Sequence, residues 1–204
     1  MNRRLALLVL PLLLLVVAGC TAAADDAPAP RATAAERPSP FRDCAALSTA
    51  PTAGAGTPAP ATGGETLPEL TLTCFTGGAP VTLRDVAGPA VINVWASWCP
   101  PCRKELPAFQ RLSERAAGRL QVVGVNSRDS RNGARSIGED FGVRFPILVD
   151  QGEALQRALN RNAIPLTLFV DGQGRIRHID ATGALDDARL AELVRQHLGL
   201  AVPA

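Results

Sequence analysis

The chain has 204 residues, 47% of them hydrophobic, which is enough for one compact domain with a buried core and for extensions on it. Basic residues number 21 and acidic residues 19, so the formal net charge is only +2. A nucleic-acid partner would call for a basic excess on one face, so this balance argues against nucleic acid as a ligand. Two of the basic residues, Arg3 and Arg4, stand at the start of the chain, before the first apolar run.

Residues 1–19 have the pattern of a secretory signal peptide. The basic start is followed by an apolar run over residues 5–18, which is shorter than the roughly 20 residues that a bilayer-spanning helix needs. The run ends in the sequence VAGC at residues 17–20, which resembles the lipobox of bacterial lipoproteins. That resemblance implies cleavage before Cys20, acylation of its side chain and attachment to the outer face of the cell membrane. Plain secretion, with Cys20 as a bystander, is the alternative.

Residues 20–65 are predicted to be a lipid-anchored tether, because they are rich in Ala, Pro and Thr and offer few large apolar side chains to bury. Cys44 is unusual in such a segment, and Cys74 lies near the start of the predicted domain, residues 66–204. Exported proteins meet oxidising conditions, in which cysteines persist as disulfides. We therefore expect a structural Cys44–Cys74 disulfide that holds residues 41–48 against the domain, with two unpaired thiols as the alternative.

The domain alternates strand and helix patterns. The continuous apolar runs at 90–95 and 120–125 are typical of buried central strands. Further strands are predicted at 70–73, 81–83, 146–149, 166–171 and 174–180, and helices at 100–117, 131–141, 153–160 and 186–198. This order predicts an α/β fold in which two parallel strands joined by a helix are followed by an antiparallel hairpin and a last helix.

The segment WASWCPPC, residues 95–102, joins a buried strand to a predicted helix. Cys99 falls at the start of that helix, where free amide groups and the helix dipole favour a thiolate. Cys102 lies one turn further in and is more shielded. We therefore predict that Cys99 attacks a partner disulfide and that Cys102 resolves the mixed disulfide. Pro100 and Pro101 restrict the loop between them and suit a first helical turn.

Cys99 and Cys102 could also serve functions other than thiol–disulfide exchange. A zinc site needs about four ligands, but the chain has no second Cys-x-x-Cys, and its two histidines, His178 and His197, are distant in sequence. We expect both histidines to face solvent and expect neither a metal nor any cofactor other than the redox-active disulfide. A purely structural disulfide, a peroxidase using Cys99 alone and a copper chaperone remain alternatives.

The motif WASWCPPC after an apolar strand resembles the active site of the thioredoxin superfamily, in particular its TlpA/ResA-like thiol–disulfide oxidoreductases. The resemblance extends from about residue 66 to the end of the chain. It implies a thioredoxin-like fold, in which a central mixed β-sheet is flanked by helices, with an N-terminal β-hairpin and a TlpA-type central insertion. It also implies an exported or membrane-anchored disulfide reductase, some members of which serve cytochrome c maturation.

The partners expected from this reading are exported proteins that carry thiols or disulfides. A membrane electron donor would serve a reductase, and a membrane acceptor would serve the alternative, an oxidant that forms disulfides in exported proteins. The protein itself is expected to be a monomer.

Further site residues follow from the resemblance. Pro165, after Ile164, matches the cis-proline that faces the Cys-x-x-Cys loop and exposes backbone to the partner chain. The family usually has Thr after this proline, whereas this chain has Leu166, which puts the choice of partner in doubt rather than the fold. For Trp98 we favour a role in shielding the disulfide and offering an apolar docking face.

A proton carrier is also implied. Asn93 stands where thioredoxin has a buried Asp, and in the ResA-like pattern an acidic residue follows the next strand instead. Asp129, after the sequence GVNSR, is the counterpart here. A carboxyl in an apolar site can exchange protons near neutral pH, so Asp129 is expected near Cys102. The alternative is that Asp129 caps the next helix.

Overall fold

The computed structural model describes residues 38–51, 63–116 and 118–203. The predicted signal peptide, Cys20 and most of the predicted tether lie outside the described residues. The strands and helices described below all lie in the compact unit Ser39–Ala204. No helix in the described ranges has the length and apolar character needed to cross a bilayer.

The described residues form one seven-stranded mixed sheet, in the order β2-β1-β5-β4-β3-β6-β7. Strands β3, β4 and β5 are mutually parallel, and the other neighbours pair in antiparallel fashion. The strands are β1 Thr71–Cys74, β2 Val81–Thr82, β3 Ala90–Trp95, β4 Gln121–Ser127, β5 Ile147–Asp150, β6 Leu166–Val170 and β7 Ile176–Asp180. The thioredoxin-like α/β fold is thereby confirmed.

Four α-helices cover the two faces of this sheet in the described part of the chain. They are α1 Pro100–Arg115, α2 Arg131–Asp140, α3 Ala154–Ala158 and α4 Asp187–Leu198. The apolar side chains of α1, α2 and α4 share one core with one face of the sheet, and α3 packs on the other face. Strands β1 and β2 form the predicted hairpin, and α2, β5 and α3 follow one another between β4 and β6.

Strand β3 is the centre of the molecule because all six of its residues are buried. Its side chains alternate between the two cores, with Val91 and Trp95 on the α1 side and Ile92 and Val94 on the α3 side. The strand pairs with β4 on one edge and β6 on the other. The redox motif therefore starts from the most constrained strand of the fold.

The segment 39–51 packs on the domain, as expected for residues 41–48. Cys44 and Cys74 form a disulfide with a Cα–Cα distance of 5.9 Å. Phe41 contacts Phe75 edge to face, with ring centroids 4.8 Å apart. The side-chain amide of Gln121 donates to the carbonyl of Leu47 at 3.1 Å. The predicted Cys44–Cys74 disulfide is therefore confirmed, and the contact of Phe41 with Phe75 adds a second anchor that the sequence does not mark.

Candidate active site

Cys99 and Cys102 form a disulfide at the amino end of α1, with a Cα–Cα distance of 5.3 Å. Cys99 is the N-cap residue, and the backbone N–H of Cys102 donates to its Sγ at 3.3 Å. Pro100 and Pro101 fill the first turn, where the N–H groups that they lack would have no intrahelical partner. The Cys99 sulfur thus lies at the positive end of the helix dipole, in contact with a backbone donor.

The exposed fractions of Cys99 and Cys102 differ less than the sequence predicts. In the disulfide form Cys99 is 3% exposed and Cys102 is fully buried. Trp98, immediately before Cys99, is 58% exposed, and its indole N–H donates to the carbonyl of Arg128 at 2.9 Å. This hydrogen bond fixes the exposed indole ring next to Cys99 in the chain, and the docking of a partner protein on this ring stays a prediction.

The peptide bond between Ile164 and Pro165 is cis, in agreement with the expectation for this proline. A cleft of about 240 Å³ lies between the loop that carries Trp98 and the residues that precede Pro165. Arg128 and Glu153 line the same cleft and form an ion pair at 3.0 Å. The cleft is the concave surface beside the disulfide, and its walls are partly apolar and partly charged.

Asp129 lies beside the loop that carries Trp98, and its role as a proton carrier stays a prediction, whereas the capping of α2 belongs to Ser130. Its carboxylate accepts hydrogen bonds from the backbone N–H and the hydroxyl of Ser97, each at 2.6 Å, and from the side-chain amide of Asn126 at 2.9 Å. It also accepts from the N–H of Ser130, and Ser130 is itself the N-cap of α2. Asp129 therefore holds the loop before Trp98 in place, because its oxygens are occupied by four donors.

A second buried carboxyl lies one helical turn after Cys102 and belongs to Glu105, which is not among the site residues predicted from the sequence. Glu105 is 1% exposed and lies three residues after Cys102 on α1, so the two side chains share one face of the helix. The amide of Asn93 donates to its Oε1 at 2.6 Å, and the N–H of Leu185 donates to its Oε2 at 3.1 Å. The sequence does carry one signal for this burial. Glu105 and the apolar Leu106 stand three and four residues after Cys102, so all three share one side of the helix.

Burial raises the pKa of Glu105 from 4.5 to about 7. The hydrogen bonds from Leu185 and Asn93 oppose this rise in pKa, and the negative charge of Asp180 adds a smaller increase. A carboxyl with a pKa near neutrality is half ionised under ordinary conditions and can both take and give a proton. The arrangement therefore offers two sulfur atoms that can exchange between dithiol and disulfide, and a carboxyl that can take up or give a proton near neutral pH.

In the described ranges, no group of three or more His, Cys, Asp or Glu side chains is arranged to hold a metal ion. The prediction that both histidines face solvent is only partly correct, because the side chain of His178 is 32% exposed. The rings of His178 and His197 stack on each other with centroids 4.1 Å apart.

Comparison with known proteins agrees with this geometry. The family model described as Redoxin matches residues 62–193. The chain is 33% identical over 120 residues to the thioredoxin-like protein YneN of Bacillus subtilis, a match that covers 57% of this chain and 69% of that protein. It is 30% identical over 119 residues to the thiol-disulfide oxidoreductase ResA of Geobacillus kaustophilus, covering 57% and 67%.

Among solved structures, a secreted thiol-disulfide isomerase from Corynebacterium glutamicum superposes with a TM-score of 0.56. That match has 26% identity and covers 65% of this chain and 83% of the other. The family match spans more than half of the chain and includes both cysteines, the cis-proline and Glu105. The chain therefore belongs to the redoxin family, as a ResA-like thiol–disulfide oxidoreductase.

Proposed function

We propose that this oxidoreductase reduces disulfides of exported proteins at the outer face of the cell membrane. The observation that carries the proposal is the Cys99–Cys102 disulfide at the head of α1, with the carboxyl of Glu105 buried one turn further along. The pair can cycle between dithiol and disulfide without any other cofactor.

The first step is attack by Cys99. In the reduced protein, the helix dipole and the N–H of Cys102 stabilise a thiolate on the Cys99 sulfur. The thiolate attacks one sulfur of the substrate disulfide, the substrate S–S bond breaks, and its electron pair leaves with the other substrate sulfur. A mixed disulfide then joins Cys99 to the substrate.

The second step is resolution by Cys102. Its thiol gives its proton to the Glu105 carboxylate, and the resulting thiolate attacks the Cys99 sulfur. The bond from Cys99 to the substrate breaks, and the substrate leaves as a thiolate. Asn93 suits both states of Glu105: its NH₂ donates to the carboxylate, and its Oδ1, without a partner among the described residues, would accept from the carboxylic acid after an amide flip.

The partner would bind across Trp98 and the cis-Pro165 loop. The exposed indole offers apolar area beside the sulfur, and the adjacent cleft of about 240 Å³ has room for a substrate side chain.

The proposed location of the protein and the proposed direction of electron transfer rest on the sequence and on the family resemblance. The sequence VAGC at residues 17–20 and the apolar run before it support export and a lipid anchor on Cys20. The Cys44–Cys74 disulfide is of a kind that persists outside the cytoplasm. A monomeric reductase on such a tether would receive electrons from a membrane donor, and cytochrome c maturation is one process that such an enzyme would serve.

Redox titration of the full chain against glutathione or dithiothreitol tests the direction. A reductase should have a midpoint closer to that of thioredoxin, about −270 mV, than to that of a strong oxidant, about −120 mV. The control is the double variant Cys99→Ser/Cys102→Ser, which keeps only the structural disulfide and should show no transition in this range. A midpoint near the oxidant value would reverse the proposed direction.

Cell fractionation tests the anchor. The natural chain should sediment with membranes, and Cys20→Ser should release the protein from them, because no acyl chain can then be attached. An equal distribution of the two proteins would exclude Cys20 as the anchor while leaving the redox chemistry untouched.

A further inference from the structure

Arg128 has an unusual backbone conformation at the cleft beside the redox motif. Its φ angle is 47°, in the left-handed region that residues other than Gly, Asn and Asp rarely adopt. Among the non-glycine residues of the described ranges only three have a positive φ, and two of them, Arg128 and Glu153, line the cleft next to Trp98. Such outliers persist only where the surroundings hold them, and they concentrate at functional sites. The place of this outlier therefore points to a role in the active site.

Three hydrogen bonds hold Arg128 in this conformation. Its backbone N–H donates to the carbonyl of Asp150, the last residue of β5, at 3.2 Å. Its guanidinium Nη1 donates to the carboxylate of Glu153 at 3.0 Å. Its carbonyl oxygen accepts the indole N–H of Trp98 at 2.9 Å. The backbone of Arg128 is thereby fixed between the end of β5 and the redox motif.

The turn between β5 and α3, on the far side of Arg128, is itself held by buried hydrogen bonds. Asp150 is 2% exposed, and its carboxylate accepts the backbone N–H groups of Ala154 and Leu155, both at 2.9 Å. The side-chain amide of Gln151 donates to the carbonyl of Asp129 at 2.7 Å. The turn therefore gives the segment that follows β4 a fixed support.

Trp98 depends on this support, because its ring is 58% exposed and packing holds only part of it. In the described part of the chain, the carbonyl of Arg128 is the hydrogen-bond partner of the indole N–H. With the N–H of Arg128 held by Asp150, a return to a negative φ would turn this carbonyl away from the indole. The left-handed conformation of Arg128 is thus what keeps the acceptor in place.

We propose that Arg128 is a positioning residue for the partner protein, because its left-handed backbone aims the carbonyl that holds the Trp98 ring next to Cys99. The inference rests on the proposed function, in which the partner docks across Trp98. A ring that is already held loses little freedom on docking, whereas a free ring must be ordered at the expense of affinity. Arg128 acts through Trp98 and takes no part in the exchange at sulfur.

Two substitutions of Arg128 separate its backbone from its side chain. Arg128→Val places a β-branched residue at a positive φ, a conformation that such residues avoid, and should release Trp98. Arg128→Gly adopts a positive φ freely, keeps the carbonyl and removes the whole side chain. The matched control is Asn160→Val, which introduces the same strain at a φ of 53° in an exposed residue outside the cleft lining. Arg128 is also exposed, so neither of its variants should prevent folding.

Steady-state reduction of oxidised insulin by the full chain is compared with reduction of hydroxyethyl disulfide, which is too small to dock on Trp98. Arg128→Val should raise KM for insulin by about threefold or more, as the loss of one hydrogen bond predicts, with kcat and the rate on the small disulfide unchanged. Arg128→Gly and Asn160→Val should keep the natural KM. Equal KM values in Arg128→Val and Arg128→Gly would overturn the proposal.

A double-variant comparison tests the contact between the two residues. Trp98→Phe removes the indole donor and keeps an aromatic ring, so it should also raise KM for insulin. Adding Arg128→Val to Trp98→Phe should then have no further effect, because the bond that Arg128 supplies is already absent. Effects on KM that multiply in the double variant would overturn the proposal, since the two residues would act separately.

Time-resolved fluorescence anisotropy measures the position of the ring without turnover. Trp95 is fully buried, so a fast component that appears in Arg128→Val reports motion of Trp98. Arg128→Gly should lack this component. Its absence from folded Arg128→Val would contradict the proposal even where insulin is reduced normally. The proposed function fails separately, and only if Cys99→Ser or Cys102→Ser still turns over.

Discussion

Glu105 shows how a single buried carboxyl changes what a pair of cysteines can do. Its two oxygens are held by Asn93 and by the backbone of Leu185, in a site closed to solvent. Because burial brings the pKa of Glu105 to about 7, the side chain can accept a proton from Cys102 at neutral pH. A surface carboxylate would already be fully ionised and more weakly basic.

Replacing Glu105 by Gln should leave attack by Cys99 nearly unchanged and slow resolution by about 10²-fold or more, because the proton acceptor is lost. Rapid mixing with a disulfide substrate, quenched and separated by mass, measures the two steps independently. Glu114→Gln, at an exposed position on the same helix, is the matched control. Equal resolution rates in Glu105→Gln and the natural chain would refute the role.

Gly133 lies where the active-site loop and α2 approach closely. A Cβ built on it would be 2.5 Å from the hydroxyl of Ser97 and 2.9 Å from that of Ser130. Gly133→Ala should therefore displace Ser97 from Asp129 and cost about 1–3 kcal/mol of unfolding free energy. Urea unfolding measures the loss, with Gly172→Ala, which meets open space, as the control. Equal losses in both variants would contradict this packing account.

At the scale of elements, the sequence predicts strands and helices well where the pattern is local. The predicted strand at 90–95 coincides with β3, and the predicted helix at 100–117 overlaps α1 almost fully. The missed features are long-range. An acidic residue in an amphipathic helix is normally solvent-facing, whereas Glu105 is buried between Asn93 of β3 and the backbone of Leu185, which are distant from it in sequence. The packing of residues 41–48 follows from the predicted Cys44–Cys74 disulfide, whereas the contact of Phe41 with Phe75 is not marked in the sequence.

The Cys44–Cys74 disulfide should stabilise the fold without taking part in turnover. It closes a loop with a sequence separation of 30. In the chain-entropy account, Cys44→Ser/Cys74→Ser should therefore lower the unfolding free energy by roughly 3–4 kcal/mol. Urea unfolding and insulin reduction, measured on the same samples, separate stability from activity. Lost turnover in a variant that remains folded would show that this disulfide is redox-active rather than structural.

At the scale of the whole molecule, the site makes stability depend on pH. The pKa of Glu105 is about 7 in the folded protein and 4.5 in the unfolded chain, so the folded state binds more protons between these values. Stability contributed by this group is therefore complete below pH 4.5 and is lost as the pH rises through 7. The loss is about 3 kcal/mol, from the size of the shift in pKa.

Urea unfolding of the natural chain and of Glu105→Gln across pH 4 to 8 measures this contribution, because a neutral amide cannot titrate. Relative to the natural chain, Glu105→Gln should gain stability as the pH rises, by about 3 kcal/mol over the interval. Parallel stability curves for the two proteins would mean that the carboxyl is not held in its protonated form by burial.

The most direct test of the redox account is trapping of the mixed disulfide. Reduced Cys102→Ser should accumulate a covalent complex with oxidised insulin through Cys99, because no thiol is present to resolve it. Cys99→Ser should form no such complex and should lose turnover. Turnover in Cys99→Ser, or a complex joined through Cys102 instead, would contradict the assignment of Cys99 as the attacking sulfur.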